Sequence, residues 1–155
     1  MPPAADQRGS ADDVDVRVST LIARSPADVA AYSGDPTNAP AWYENIRTVE
    51  WRTEPPLRVG SRMDFTARFL GRQLNYTYEV VELVPGERLV METSQGPFPM
   101  RTTYTWTPEG PGTRMTLRNT GRATGFSKLA APALSSAMRR ATTKDLTALK
   151  KILEA

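Results

Sequence analysis

The sequence contains no cysteine and no histidine. The absence of cysteine excludes disulfides, thiolate nucleophiles, zinc ribbons and iron–sulfur clusters. The absence of histidine excludes the Ser-His-Asp and Cys-His catalytic arrangements, histidine-rich metal sites and the side chain that most often serves as a general base near neutral pH. Any chemistry must therefore use carboxylates, tyrosine, lysine, arginine or serine, and we predict neither a cofactor nor a metal site.

Long apolar runs are also missing. The longest stretch without a charged side chain covers residues 129–138 and contains Pro132, whereas a helix that crosses a membrane needs about twenty predominantly apolar residues. The first ten residues lack the apolar segment of a secretory signal. We therefore predict a cytoplasmic protein without an integral membrane segment, and the sequence leaves a transient contact with a membrane surface open.

Neither sign of charge dominates the chain. Among 155 residues, 20 are basic and 17 are acidic, for a net charge of +3, and they are spread without runs. This pattern gives no indication of nucleic acid as a partner. Hydrophobic residues make up 39% of the chain, which is enough for one sizeable core. We predict a disordered tail over residues 1–13 and a single domain over residues 14–155.

Seven segments alternate apolar and polar side chains and end at glycine or proline turn signals, a pattern typical of β-strands. The predicted strands are Val14–Ala23, Thr48–Thr53, Arg62–Leu70, Arg72–Val84, Arg88–Thr93, Met100–Thr107 and Thr113–Thr120. Short connections require antiparallel neighbours, so the fold class is α+β with a strongly curved antiparallel sheet. Capping residues predict two short helices after the first strand, one from Ser25 through Tyr32 and one over Ala39–Ile46.

The end of the chain changes to a helical period. The apolar stripe of this long C-terminal helix consists of Leu134, Met138, Ala141, Ala148, Leu149 and Ile152. We expect the helix to begin near Phe126 or Ser127 and to lay its stripe on the concave face of the sheet. Asp145 falls inside the stripe, where a carboxylate must be paired, protonated or solvated. Three interpretations of Asp145 stay open: a bond to a strand or short helix, contact with a ligand, and proton transfer.

The concave face of the predicted sheet is wider than the helix that covers it. One helix is about 10 Å across, whereas strands at about 4.8 Å each form a much broader surface. We therefore expect an internal pocket in which a few polar groups orient a small ligand. Each lining residue taken alone is also compatible with an ordinary core. The predicted ligand-binding residues are Trp42, Phe65, Phe69, Tyr76, Tyr78, Met100, Tyr104, Leu117, Asn119 and Met138.

The loops at one end of the sheet combine apolar side chains with glycine. Successive turns of an antiparallel meander alternate between its ends, so the connections at residues 70–71, 94–99 and 121–126 share one end. The predicted mouth of the pocket consists of Leu70, Phe98 and Phe126. The alternative is that these three residues cap the core.

Four segments of the sequence resemble a known superfamily. They are residues 35–42 (DPTNAPAW), 57–61 (LRVGS), 82–89 (ELVPGERL) and 145–150 (DLTALK). The chain after Asp13 resembles the START-like superfamily, and within it the bacterial polyketide cyclase/dehydrase and lipid-transport-like proteins. The resemblance implies the helix-grip fold, in which a curved seven-stranded antiparallel sheet wraps a long C-terminal helix around a hydrophobic cavity. Because the superfamily includes lipid carriers, receptors and aromatase/cyclases, the resemblance indicates the fold more than the function.

Two functions are compatible with such a pocket. The sequence favours binding or carriage of a small hydrophobic or amphipathic ligand, lipid-like or polyketide-like, because no recognisable acid/base pair shares one strand face. The alternative is a polyketide cyclase or dehydratase, a lyase-like enzyme without metal or histidine, with Tyr76, Tyr104 and Asp145 as catalytic candidates. The sequence leaves open the identity of the ligand and the choice between a monomer and a homodimer.

Overall fold

The fold is built on one antiparallel sheet. The computed structural model describes residues 13–96, 99–122 and 131–155. Within these ranges the strands are β1 (Val14–Ile22), β2 (Ile46–Trp51), β3 (Arg62–Phe69), β4 (Arg72–Val84), β5 (Arg88–Gln95), β6 (Met100–Glu109) and β7 (Gly112–Gly121). They form one seven-stranded sheet in the order β1-β7-β6-β5-β4-β3-β2, with every neighbouring pair antiparallel. The predicted sheet is confirmed.

Most strands alternate between a buried concave face and a more exposed convex face, whereas on β5 the consecutive residues Leu89, Val90 and Met91 are all buried. On β7, Met115 and Leu117 are fully buried, while Arg114 and Arg118 point to the other side and are partly exposed. Arg118 pairs across the β7–β1 contact with Asp15 at 2.7 Å. Exposed ion pairs of this kind are typical of an ordinary solvated sheet surface.

Helix α1 (Pro26–Ser33) follows β1. Its N-terminus has the predicted capping pattern, because the Ser25 hydroxyl accepts a hydrogen bond from the backbone N–H of Asp28 at 3.2 Å and Pro26 occupies the first turn. The indole N–H of Trp106 on β6 donates to the buried Ser33 hydroxyl at 3.0 Å. This bond fixes α1 over one end of the concave face.

A second helical segment is shorter than the sequence indicates. A 3-10 turn (Pro36–Asn38) leads into helix α2 (Ala39–Trp42). The prediction that this helix continues to Ile46 is wrong, because Tyr43 is extended, with φ −78° and ψ 122°, and Ile46 already begins β2. The extended segment directs the backbone N–H of residue 44 toward the C-terminal helix.

The C-terminal helix α3 (Ala131–Glu154) packs against β1 and α2. Its buried residues are Ala131, Leu134, Thr142, Asp145, Leu146, Leu149 and Leu153. When successive residues are placed about 100° apart around the helix axis, the centre of this buried face lies roughly 60° from the centre of the predicted apolar stripe. The placement of Ile152 on the stripe is wrong, since Ile152 is 39% exposed and the neighbouring Leu153 is buried. The predicted start near Phe126 or Ser127 lies outside the described residues.

The core lies between the concave face and the helices. Its largest fully buried side chains include Ile22, Met63, Val80, Leu89, Met115, Leu117, Leu146 and Leu149. A smaller cluster of Val14, Val16, Ala131 and Leu134 joins β1 to the first turns of α3. None of the helices in the described ranges is long and apolar enough to cross a membrane.

Candidate functional site

A cavity lies between α3 and the middle of the sheet. Because α3 runs along β1 and α2, it leaves the concave faces of β3 to β6 only partly covered. The space left has a volume of about 150 Å³. Its lining residues are Ser33, Pro36, Ala39, Tyr43, Asn45, Ile46, Phe65, Ala67, Phe69, Leu74, Tyr76, Tyr78, Met91, Thr93, Met100, Thr102, Tyr104, Asn119, Met138, Ala141, Thr142 and Asp145.

The cavity occupies the end of the sheet that carries the β3–β4 turn. On β3, Met63 is fully buried and does not line the cavity, whereas Phe65 and Phe69, farther along the same face, line it. On β7, Leu117 is core and Asn119 lines the cavity. The central strands therefore change along their length from a packed end to a cavity end.

Three hydrogen-bonded side chains form one wall of the cavity. The Thr102 hydroxyl donates to Oδ1 of Asn119 at 2.6 Å, so it accepts the proton of the Tyr78 hydroxyl, which lies 2.6 Å away. Burial raises the pKa of Tyr78 to about 12, and the hydrogen bond with Thr102 opposes that shift. Tyr78 therefore remains a neutral donor whose orientation is fixed by its partners.

A second pair of hydroxyls joins the segment after α2 to the sheet. The phenol oxygens of Tyr43 and Tyr104 lie 2.5 Å apart. Burial raises the pKa of both phenols, and the charge of Asp145 adds to the shift. Because two hydroxyls carry two protons and the bond between them uses one, the pair retains one proton that can be donated into the cavity.

Tyr76 presents a hydroxyl to the cavity that has no hydrogen-bond partner in the part of the chain that the structure describes. Its ring stacks on Phe65 with centroids 5.5 Å apart and meets the edge of Tyr78 at 5.2 Å. Within the described residues its hydroxyl makes no hydrogen bond. Burial raises the pKa of Tyr76 well above its ordinary value, and nearby phenols and Asp145 add to the effect. The result is an aromatic wall with one donor available.

Asp145 is the one carboxylate that lines the cavity in the described part of the chain. It is 3% exposed, and Oδ1 accepts a hydrogen bond from the backbone N–H of Glu44 at 2.8 Å. Burial raises the pKa of Asp145 to about 7, although this hydrogen bond opposes the shift. The bonded partner of Asp145 is therefore a backbone N–H in the connection between α2 and β2, and not a group on a strand or a short helix. Within the same ranges no group of three acidic side chains could hold a metal ion.

The structure brings together most of the predicted ligand-binding residues. Those that line the cavity are Phe65, Phe69, Tyr76, Tyr78, Met100, Tyr104, Asn119 and Met138. Trp42 and Leu117 do not line it. Leu117 is fully buried in the packed core, and Trp42 lies behind the tyrosines, with its ring 4.2 Å from that of Tyr43 and 5.9 Å from that of Tyr104. Contact of the lining residues with a ligand stays a prediction.

Several lining residues are absent from the predicted set. They include Tyr43, Asn45, Ile46, Leu74, Met91, Thr93 and Thr142. The sequence pattern places Tyr43 and Asn45 in a helix, and the break after Trp42 turns them into the cavity wall instead. Met91 and Thr93 follow the same alternation along β5 as the predicted residues on neighbouring strands, so that pattern could have identified them.

One of the three predicted mouth residues lies in the described ranges. Leu70 is 57% exposed in the two-residue turn that joins β3 to β4, with a φ of 52°. This turn is at the cavity end of the sheet, next to the half-buried Phe69. Phe98 and Phe126 lie outside the described residues.

A curved antiparallel sheet that forms a cavity against a long C-terminal helix defines a START-like, helix-grip protein. The family described as polyketide cyclase / dehydrase and lipid transport matches residues 13–154, and this chain belongs to that family. The resemblance found in the four sequence segments is thereby confirmed. A comparison with curated protein sequences finds no match.

Solved structures share this fold at low sequence identity. A START superfamily protein from Mycobacterium smegmatis superposes with a TM-score of 0.76 at 14% identity, over 90% of this chain and 97% of the other. The Zhui aromatase/cyclase from Streptomyces sp. R1128 gives 0.76 at 17% identity, over 90% and 93%. A protein from Thermus thermophilus gives 0.77 at 20% identity, over 88% and 94%. These likenesses establish the fold alone.

Proposed function

We propose that the protein binds and carries a small hydrophobic or amphipathic ligand in the cavity under α3. The observation that carries the proposal is the composition of the wall, in which aromatic and apolar side chains surround a few convergent polar groups. Tyr76 and the Tyr43–Tyr104 pair supply donors, and Asp145 supplies an acceptor. These groups retain hydrogen-bonding capacity that a ligand can use.

The volume of the cavity limits the part of a ligand that it encloses. An engineered apolar cavity of about 150 Å³ binds benzene, and the volume here is also about 150 Å³. The enclosed part is therefore one aromatic ring or a short alkyl chain. A longer ligand would extend toward the β3–β4 turn, where Phe69 is half-buried and Leu70 is exposed, and this arrangement supports Leu70 as part of the mouth.

Native mass spectrometry of freshly purified protein and calorimetric titration with benzyl alcohol test the proposal. We expect a co-purified small molecule or saturable binding. Ala141→Phe inserts a ring into the cavity from α3 and should abolish binding, whereas Ala133→Phe, at an exposed position of the same helix, should bind normally. Unchanged binding by a folded Ala141→Phe variant would place the ligand elsewhere.

Cyclase or dehydratase activity is the second candidate function, and Asp145 favours it. A buried carboxyl whose pKa is raised to about 7 can both accept and release a proton near neutral pH. Tyr76 and Tyr104 would orient or protonate substrate oxygens beside it. Incubation with a linear polyketone followed by mass spectrometry should then show loss of water in the wild type. Asp145→Asn should stop this turnover while retaining binding, and no turnover by the wild type would leave carriage as the function.

A further inference from the structure

The charges around the cavity are unbalanced. In the described part of the chain, Asp145 lines the cavity and no lysine or arginine does. Burial raises the pKa of Asp145, and the charged group that acts on it in the same direction is another acid, Glu44. The carboxylate therefore has a hydrogen bond from a backbone N–H but no cationic partner among the described residues.

Basic groups on the same helix bond elsewhere. Arg139 donates to the backbone carbonyl of Arg17 at 3.0 Å, and Lys150 donates to that of Leu21 at 2.6 Å, both on β1. Arg140 and Lys144 are exposed. These basic groups lie on the side of α3 that faces β1 and solvent, where Lys150 also pairs with Glu154. The residues of α3 that line the cavity are Met138, Ala141, Thr142 and Asp145, and of these Asp145 alone has a charged side chain.

The groups that face Asp145 from the other elements are phenols. They are Tyr43 from the segment after α2, Tyr76 from β4 and Tyr104 from β6. Burial raises the pKa of each one, and the charge of Asp145 adds to the shift. All three stay neutral near pH 7, so they can donate hydrogen bonds but cannot balance the charge of a carboxylate.

Part of the cavity wall is a cluster of aromatic rings. Phe65, Tyr76 and Tyr78 have centroids between 5.2 and 5.8 Å apart. A cation within about 6 Å of such a ring is attracted by its electron-rich face, and more strongly in a site shielded from water. This aromatic cluster and Asp145 line the same cavity, and the described residues give Asp145 no cationic partner, so the cavity combines the two features that bind an organic ammonium ion.

We infer that the cavity selects ligands whose buried end carries a protonated amine, held between Asp145 and the aromatic cluster, and that it rejects anionic ligands such as fatty-acid carboxylates. This inference rests on the proposed function, because it concerns the same cavity. An ammonium group supplies the charge partner that Asp145 lacks among the residues that the structure describes, and it can form a charge-assisted hydrogen bond with the carboxylate. An anionic ligand meets a like charge and requires one of the two groups to take up a proton.

Three ligands of matched size test the inference: benzylamine, benzyl alcohol and benzoate, titrated calorimetrically into the full chain. At about pH 8 Asp145 is mostly ionised and alkylamines are still protonated. We expect benzylamine to bind about tenfold more tightly than benzyl alcohol, and benzoate about tenfold more weakly. Lowering the pH to about 6 should weaken benzylamine binding about tenfold, because it protonates Asp145, and should leave benzyl alcohol unchanged.

Asp145→Asn is the informative variant, since its side-chain carbonyl can still accept the Glu44 N–H. It should bring the three affinities within about threefold of one another. The matched control is Asp15→Asn, which removes a surface carboxylate on β1 that pairs with Arg118, and it should preserve the ranking. If Asp145→Asn does not fold, the pH dependence of benzylamine binding to the wild type tests the inference instead, and an affinity that does not change with pH would overturn it.

The outcomes separate the inference from the proposed function. Equal affinities for the three ligands, or a preference for benzoate, would overturn the amine selectivity and leave the cavity as a binding site. Failure of all three ligands to bind would overturn both. If Asp145→Asn binds the three ligands in the same order of affinity as the wild type, a group other than Asp145 determines that order. This result would also overturn the inference.

Discussion

The two ends of the concave face are filled in different ways. At the packed end, the central strands contribute Met63, Val80, Leu89 and Met115, none of them more than 1% exposed. At the cavity end the inward side chains include Phe65, Tyr78, Thr102 and Asn119. One alternating pattern specifies both ends, and only the chemistry of the inward side chains differs. The packed core and the cavity therefore lie at opposite ends of the sheet.

The cavity end stays open because its side chains are held by directional contacts. The Tyr78 hydroxyl must remain near Thr102, and the Tyr43 hydroxyl must remain near Tyr104, since a buried hydroxyl without a partner is costly. The rings cannot turn to fill the space without breaking these bonds. Aliphatic side chains at the packed end have no such constraint, so they interdigitate and exclude water.

The largest difference between the two ends should appear when a side chain is truncated. Leu117→Ala should destabilise the protein by about 2–5 kcal/mol, because Leu117 is fully buried in the packed core. Met138→Ala should cost about 1 kcal/mol, since Met138 is half-buried and already faces a cavity. Urea denaturation of both variants measures the difference. Equal losses would show that the two ends contribute equally to stability.

The pH dependence of stability should report on the cavity end. The chain has no histidine and no cysteine, so no other side chain with an ordinary pKa titrates between about pH 5 and pH 8. Burial raises the pKa of Asp145 to about 7, and the folded state therefore holds this proton more tightly than the unfolded state. Stability is highest below the unfolded pKa and falls as the pH rises to about 7, by about 3 kcal/mol between pH 5 and pH 8.

Asp145→Asn is the control for this pH dependence. The variant should have nearly constant stability over that range, and at about pH 8 it should be more stable than the wild type, because it buries no charge. Hydrogen bonds from their arginine partners lower the pKa of the surface acids Asp15 and Glu109, so these two groups titrate below the range. If the free energy of unfolding of the wild type does not change with pH, burial of the ionised Asp145 carboxylate costs little free energy.

A smaller effect should follow from removing the middle of the Tyr78–Thr102–Asn119 chain. Thr102→Val keeps the shape of a buried side chain and removes its hydroxyl, so the free energy of unfolding should fall by about 1 kcal/mol. Thr103→Val, on the opposite face of β6, should have almost no effect. A loss as large for Thr103→Val as for Thr102→Val would indicate that strand propensity, not the hydrogen-bonded chain, determines the result.

The sheet could be predicted from the sequence because strand alternation is a local property. The predicted bounds of β4, Arg72–Val84, coincide with those observed. The helix face could not be placed as accurately, because Ile152 and Leu153 are equally apolar neighbours and only packing against β1 selects Leu153. The sequence does not identify Tyr43 as a lining residue for a related reason. The segment around it favours a helix, and only tertiary contacts make the backbone extended at Tyr43.

The turn at the cavity end carries local strain that the packed end lacks. Leu70 and Gly71 both have positive φ, 52° and 76°, the geometry of a two-residue type I′ hairpin turn, which favours Asn-Gly. A leucine in this left-handed conformation costs roughly 1 kcal/mol. Leu70→Asn should therefore stabilise the protein by about 0.5–1 kcal/mol, measurable as a raised Tm.

The same variant tests Leu70 as part of the mouth, because it replaces an exposed apolar tip by a polar one. If ligands enter over this turn, Leu70→Asn should slow the association of benzyl alcohol in stopped-flow measurements while it raises the Tm. Val59→Asn is the matched control, since Val59 is 60% exposed in the loop before β3, at the other end of the sheet, and it should leave the association rate unchanged. A raised Tm with unchanged association would confirm the strain in the turn and place the mouth elsewhere. Slower association with a raised Tm would indicate that the strained leucine is kept at this turn for ligand entry, at the expense of stability.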